Sequence, residues 1–184
     1  MKINFNSKFS NDKGILLFIC VKGKPLHKYL IDLDKKYSSY VKHAMKVVNF
    51  NYKDNNHLDL ILPKGSKADR IILVGIDEKN SSNDLDVGKL GSNITSILNT
   101  HKIKEISLVL EEKSFKAIQV AMLLYGISLN TYRFNKYFSD KKKIRVNFLE
   151  KINLYSSDYN KISKEWKRFN AIKEGVFLTR DLVS

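Results

Sequence analysis

The sequence is poor in the residues that usually announce a chemistry. Cys20 is the only cysteine among 184 residues, so no disulfide can form within the chain and a stapled secreted scaffold is excluded. Proline (2) and glycine (8) are both scarce, which argues against a loop-rich architecture. No apolar stretch approaches the roughly 18 to 20 residues that a membrane helix needs. The run at residues 15–21 (ILLFICV) could pass for a signal-peptide core. Asn11, Asp12 and Lys13 precede it, however, and no small-residue cleavage site follows, so it reads as a buried strand. These absences together point to a reducing compartment, the cytoplasm, and to no membrane partner.

Catalytic motifs are missing too. The four histidines, His27, His43, His57 and His101, are widely separated and none belongs to an H-E-x-x-H or similar ligand spacing, so each is expected to be a surface histidine. There is no G-x-S-x-G elbow and no P-loop. Cys20 lies in an apolar run without a partner base and should pack as a small hydrophobe. No residue is therefore assigned as catalytic, metal-binding or cofactor-binding.

Against these absences stands a net charge of +14, from 33 basic and 19 acidic residues. Such a field attracts polyanions and releases counterions on binding, which keeps DNA as a possible partner. Yet only five of the 33 basic residues are arginine, the side chain whose fork reads bases, and asparagine and isoleucine are abundant. An A+T-rich coding bias would produce the same surface. Hydrophobic residues at 43% and charged residues at 28% are near the averages for a soluble globular domain with a real core.

Periodicity organises the rest. Ile3 and Phe5 alternate with polar neighbours, and residues 14–21, 58–62, 70–76 and 106–110 read as strands. Residues 63–66 (PKGS) form a turn. Residues 29–49 carry a weak helical spacing at Tyr37, Tyr40, Val41, Ala44 and Val48. A helix is expected over residues 84–100, its apolar side formed by Leu85, Leu90, Ile94, Ile97 and Leu98. Ser114 is placed to cap the next helix, which is apolar nearly all round over residues 117–124. Residues 135–143 are a polar connector, one further strand falls within residues 144–155, and the chain is helical from about residue 157. In that last helix Tyr159, Ile162, Trp166, Phe169, Ile172 and Val176 share a face. The β-α-β-α succession predicts an α/β fold, a mixed but largely parallel sheet with helices on both faces.

Two short segments could hold anions. Val87-Gly88-Lys89-Leu90-Gly91 resembles a phosphate cradle, but helical periodicity runs through it and packing explains the glycines better. Lys141-Lys142-Lys143, with Lys136, Arg145, Tyr132, Phe134, Tyr137 and Phe138, could grip a nucleic-acid backbone and stack bases. Solvated lysines beside aromatics that anchor a loop account for it better.

Near the C-terminus the pattern becomes specific. Residues 125–137 (YGISLNTYRFNKY) resemble the G-x-x-L-x-x-Y-x-F-x-x-Y passage of the leucyl (cytosol) aminopeptidase family. Residues 171–184 (AIKEGVFLTRDLVS) are similar to its A-x-x-x-G-x-x-x-A-R-D-L-V-N helix, with Thr179 and Ser184 in place of alanine and asparagine. Residues 62–76 also look like a strand–turn–strand passage of that family. The resemblance implies a macro-domain-like fold over 1–156 and an interdomain linking helix over 157–184. The catalytic domain, which would begin with E-P-P-N after Ser184, lies outside the chain. It further implies a parent exopeptidase that releases N-terminal residues from peptides with two divalent metals (Mn or Zn), assembled as a hexamer. The metal-ligand motifs of that family, V-G-K-G-x-T-F-D-S-G-G and N-T-D-A-E-G-R, are absent here, so this lobe should bind no catalytic metal. Arg180 and Asp181 are then linkage or helix-end residues. Gly175 is expected to sit where another backbone passes close by. A nucleotide or ADP-ribose site follows from the macro-like fold alone.

Overall fold

A computed structural model of the chain describes residues 1–9, 13–53, 56–110, 114–132 and 147–183. Its centre is a six-stranded sheet built from β1 (Lys2–Asn6), β2 (Gly14–Val21), β3 (His57–Ile61), β4 (Ala68–Ile76), β5 (Glu105–Val109) and β6 (Lys151–Tyr155). The spatial order is β1-β6-β5-β2-β4-β3. Every pairing is parallel except β3 with β4. That exception follows from the expected turn, in which Ser66 N–H donates to Pro63 O at 3.0 Å and Gly65 takes a φ of +92°. A chain reversal this tight can only pair its strands antiparallel.

The uninterrupted apolar runs of β2 and β4 arise because both faces of the sheet are covered. Leu17, Ile19 and Val21 point to one core, where they meet Ile72, Val74 and Ile76. Leu16, Phe18 and Cys20 point to the other. The first core lies under α4 (Asp84–Thr100), α5 (Ala117–Thr131) and α6 (Tyr159–Val183); the second lies under α1 (Lys28–Lys36) and α2 (Tyr40–Val47), and a single turn, α3 (Glu78–Ser81), precedes α4. The structure is thus the expected α/β fold, with a largely parallel mixed sheet, helices on both faces and a long C-terminal helix.

Three local expectations change. The weak helix at residues 29–49 is two helices, broken where Ser38 and Ser39 take φ values of 52° and 64°. The buried Asp34 carboxylate supplies the reason, accepting Lys42 N–H at 3.0 Å and so capping α2 from outside it. On α4, Leu85 is 69% exposed and Val87 takes the core position instead. Ser114 does not cap α5. Lys116 holds the cap position, and its N–H donates to Gln119 Oε1 at 2.9 Å. Gln119 in turn donates through Nε2 to Ser81 O at 3.1 Å, which ties α5 to α3.

Gly88 and Gly91 belong to the crossing of α4 and α5, as the packing explanation required. A Cβ on Gly91 would collide with Leu123 O, and one on Gly126 with Gly88 O. Backbone therefore lies on backbone here. Thr95 Oγ1 seals the crossing by donating to Ile127 O at 3.1 Å.

Candidate functional site

Chemistry in an open α/β sheet is sought first at the carboxyl ends of the strands where connections diverge to opposite sides. Here that point lies between β2, whose connection leads to β3 and β4, and β5, whose connection leads to β6. Phe18 and His27 rings meet there at 5.3 Å, and Phe9 sits 5.3 Å from both Tyr29 and Tyr155. Among the described residues this crevice retains about 10 Å³, room for one water at most. A nucleotide needs several hundred Å³. The hollow that the described residues form beside Phe18 and His27 is far smaller than that.

The histidines do not converge. His27 is more than a surface residue: it caps α1, its Nδ1 accepting Tyr29 N–H at 3.1 Å. His101 closes α4 and lies 3.4 Å from Asp59, which also pairs with Arg70 at 3.0 Å. His43 lies on α2 and His57 opens β3, both exposed. Cys20 is 6% exposed, and burial pushes its thiol up to about 12, so it is an inert core residue. Among the described residues no group of three or more His, Cys, Asp or Glu side chains is placed to hold a metal ion. The lysine-rich segment that could grip nucleic acid lies outside the described residues, Tyr132 excepted.

Surface hollows are found elsewhere among the described residues. One, of about 200 Å³, lies beside Tyr29, Lys36 and Tyr37, where Ser66 Oγ donates to the Tyr37 hydroxyl at 2.8 Å and lowers its pKa. Another, of about 300 Å³, opens at the amino ends of β2 and β5. Its one carboxylate, Glu105, already accepts Lys151 Nζ at 2.7 Å and Asn153 Nδ2 at 2.8 Å, and these bonds hold its pKa low. Neither pairs a nucleophile with a base.

The specific feature of the sequence, its C-terminal pattern, builds a clasp. Ile162 at 1% and Phe169 at 9% exposure seat α6 on the sheet and on α5, and the Phe169 ring lies 5.5 Å from that of Tyr125. Ile172, expected on this face, is 44% exposed. Lys173 takes the inward position, its side chain 14% exposed and its Nζ over the rings of Trp166 at 5.9 Å and Phe177 at 5.7 Å. One turn on, the Phe177 ring packs 5.0 Å from Tyr132. The Tyr132 hydroxyl donates to Asp181 Oδ1 at 2.7 Å, and withdrawal from water together with this carboxylate raises its pKa. Arg180 lies 5.4 Å from the Tyr132 ring and donates to Leu129 O at 3.4 Å. Tyr132, Arg180 and Asp181 thus lock the last turns of α6 to the end of α5. Lys173 and Phe177 were invisible as members of this clasp, because a lysine on an otherwise apolar stripe reads as a break in it.

Fold and clasp together define a class: an α/β lobe that carries a trailing helix docked on α5. A model of the cytosol aminopeptidase family's N-terminal domain matches residues 15–141, and the chain belongs to that family. It is 27% identical over its whole length to a probable cytosol aminopeptidase of Afipia carboxidovorans and 28% identical to one of Rhodopseudomonas palustris, spanning 37% of the length of each. Among solved structures, a tomato leucine aminopeptidase mutant shares the fold over the entire chain with a TM-score of 0.78 at 20% identity, over 38% of its own length. A bottromycin maturation enzyme, BotP, in complex with Mn, gives a TM-score of 0.61 at 15% identity over 95% of this chain and 32% of its own. No helix among the described residues is long and apolar enough to cross a membrane.

Proposed function

We propose that this chain is the non-catalytic N-terminal lobe of a cytoplasmic, metal-dependent leucyl aminopeptidase. In this reading residues 1–156 form the lobe and residues 157–184 the helix that links it to a catalytic domain. The observation that carries it is the family match together with the share of relatives covered: 37% of their length corresponds to this lobe and leaves the larger part for the catalytic unit. The described residues offer no cluster that suits a metal. The two divalent ions that the family resemblance implies, Mn or Zn, are therefore assigned to the catalytic domain, where they would activate water and polarise the scissile carbonyl.

The role left to the lobe is to position and to assemble. It would help build a hexamer and shape the approach of peptides to the active sites. The clasp supports this role, because a helix held at Tyr132, Arg180 and Asp181 leaves the lobe in a defined direction. The test is to express the full reading frame and this chain separately and to assay both with leucyl-p-nitroanilide and manganese or zinc. The full-length protein should hydrolyse it in a metal-dependent manner and the 184-residue chain should not. A full-length product that is inactive with either metal would overturn the proposal.

A further inference from the structure

The hollow of about 200 Å³ beside α1 brings both signs of charge to an apolar lining. That lining is the buried Leu33 and the rings of Tyr29 and Tyr37. Tyr29 is held in place, its ring stacked 6.0 Å from Phe18 and edge-on 5.3 Å from Phe9. Asp32 and Lys36, both exposed, line the same hollow one turn apart on α1, about 6 Å along the helix axis. Opposite charges at this spacing usually pair with each other. Here they do not, and the Lys36 ammonium lies over the Tyr37 ring instead, 5.1 Å from its centre.

Polar groups converge on one side of this lining. Ser66 Oγ donates to the Tyr37 hydroxyl at 2.8 Å, and Lys36 brings its positive charge to the same oxygen. Because that oxygen accepts from Ser66, the Tyr37 proton is turned toward another acceptor. An ammonium beside a hydroxyl proton on a fixed ring suits a carboxylate. The backbone holds this corner under strain. Ser38 and Ser39, directly after Tyr37, take φ values of 52° and 64°, a left-handed conformation that costs free energy for any residue but glycine. Such strain gathers at ligand clamps, where other contacts over-determine it. The contact here is Ser39 N–H donating to Asp34 O at 2.7 Å.

We propose that this hollow binds a free α-amino acid with an apolar side chain. The α-carboxylate of the ligand meets Lys36 and the Tyr37 hydroxyl, its α-ammonium meets Asp32, and its side chain lies on Leu33 and Tyr29. A zwitterion carries its two charges on adjoining atoms, so it can face Asp32 and Lys36 at once where a simple ion answers only one of them. The size agrees, since sites for larger ligands run from roughly 300 Å³ upward and a hollow below that takes a single residue. The choice of occupant rests on the functional reading above, in which the parent enzyme releases amino acids of this class.

Amide chemical shifts of the 184-residue chain, followed as L-leucine is added, test this. The shifts should concentrate at residues 32–37 and 66–67. They should saturate with a Kd on the order of 1 mM, as the few contacts of so small a ligand allow. Isocaproate lacks the ammonium, isoamylamine lacks the carboxylate and glycine lacks the side chain, so each should bind roughly tenfold more weakly than leucine. Asp32→Asn should abolish the preference for leucine over isocaproate, and Lys36→Gln the preference over isoamylamine. Both side chains are exposed, so both variants should melt with the wild type. Leucine shifts that fall elsewhere or never appear would overturn the proposal. So would isocaproate binding as tightly as leucine, which would reduce the hollow to a carboxylate site, or Asp32→Asn binding leucine like the wild type. Peptidase activity of the full-length protein reads the functional proposal separately. Leucine bound at these residues beside an inactive full-length protein would sink that proposal and leave the site standing.

Discussion

Gly126 and Gly175 are both helical glycines, and their surroundings are opposite. Around Gly126 the crossing of α4 and α5 is closed: the Gly88 carbonyl occupies the place of a Cβ, and Gly91 stands against Leu123 in the same way. Around Gly175 none of the described residues comes within 4 Å of where a Cβ would stand. A helical glycine costs about 1 kcal/mol relative to alanine wherever it stands. At Gly126 the lobe itself recovers that cost through backbone packing that no other residue permits. At Gly175 none of the described residues does, so the pair separates a glycine that the packing requires from one that it merely tolerates.

The largest effect should come from closing the tight crossing. Gly126→Ala should destabilise the chain by about 3 kcal/mol, since backbone rather than a flexible side chain must move, and urea unfolding would measure it. A loss below roughly 1 kcal/mol, the helix-propensity gain that alanine brings, would mean that the two helices can slide apart freely.

Next in size is the clasp. Tyr132→Phe removes the donor to Asp181 and should cost about 1 kcal/mol, because this bond reaches an ionised partner at a half-buried site. Asp181→Asn added to Tyr132→Phe should cost little more, and a double-mutant cycle checks that coupling. Additive losses would show that the bond does not fasten α6.

Gly175→Ala should act in the opposite direction to Gly126→Ala. In the 184-residue chain it should stabilise by up to about 1 kcal/mol, as an exposed helical position allows. Thermal unfolding of wild type and variant decides it.

The smallest effect marks the floor of the comparison. Glu105 pairs with Lys151 and Asn153 at a half-exposed strand end, so Glu105→Gln should cost less than about 0.5 kcal/mol near neutrality. Its pKa is held below the ordinary carboxyl value, first by Lys151 and then by Asn153. The contribution is therefore present above the range in which free glutamate titrates and is lost as pH falls through the lowered value. The stability difference between wild type and variant should accordingly shrink in acid, and a pH series of melting temperatures would show it.

Much of the fold was legible because its signals are local. Residues 70–76 could only be a strand buried on both faces, and α4 begins at Asp84 because Asn83 accepts Leu85 N–H at 2.9 Å, an ordinary N-cap. The break between α1 and α2 was not legible, since it depends on Asp34 reaching eight residues forward to Lys42. Nor was the inward turn of Lys173, whose stem packs with aromatic rings while its charge finds Glu174 at 2.8 Å. The family pattern at residues 171–184 was plain from the residues, but which of them grip the lobe and which point away was not.

The sequence by itself determined the strands and helices, the absence of a recognisable catalytic motif and membership of the aminopeptidase family. Those are properties of residue order, periodicity and motif. Tertiary structure alone decided that the rings of Phe9, Phe18, His27, Tyr29 and Tyr155 gather at the strand ends, that a Cβ at Gly126 would meet backbone while none of the described residues stands near Gly175, and that Lys173 turns inward on α6. Each of these depends on which surfaces meet across long stretches of chain, and a helical repeat records that a face exists without recording what covers it.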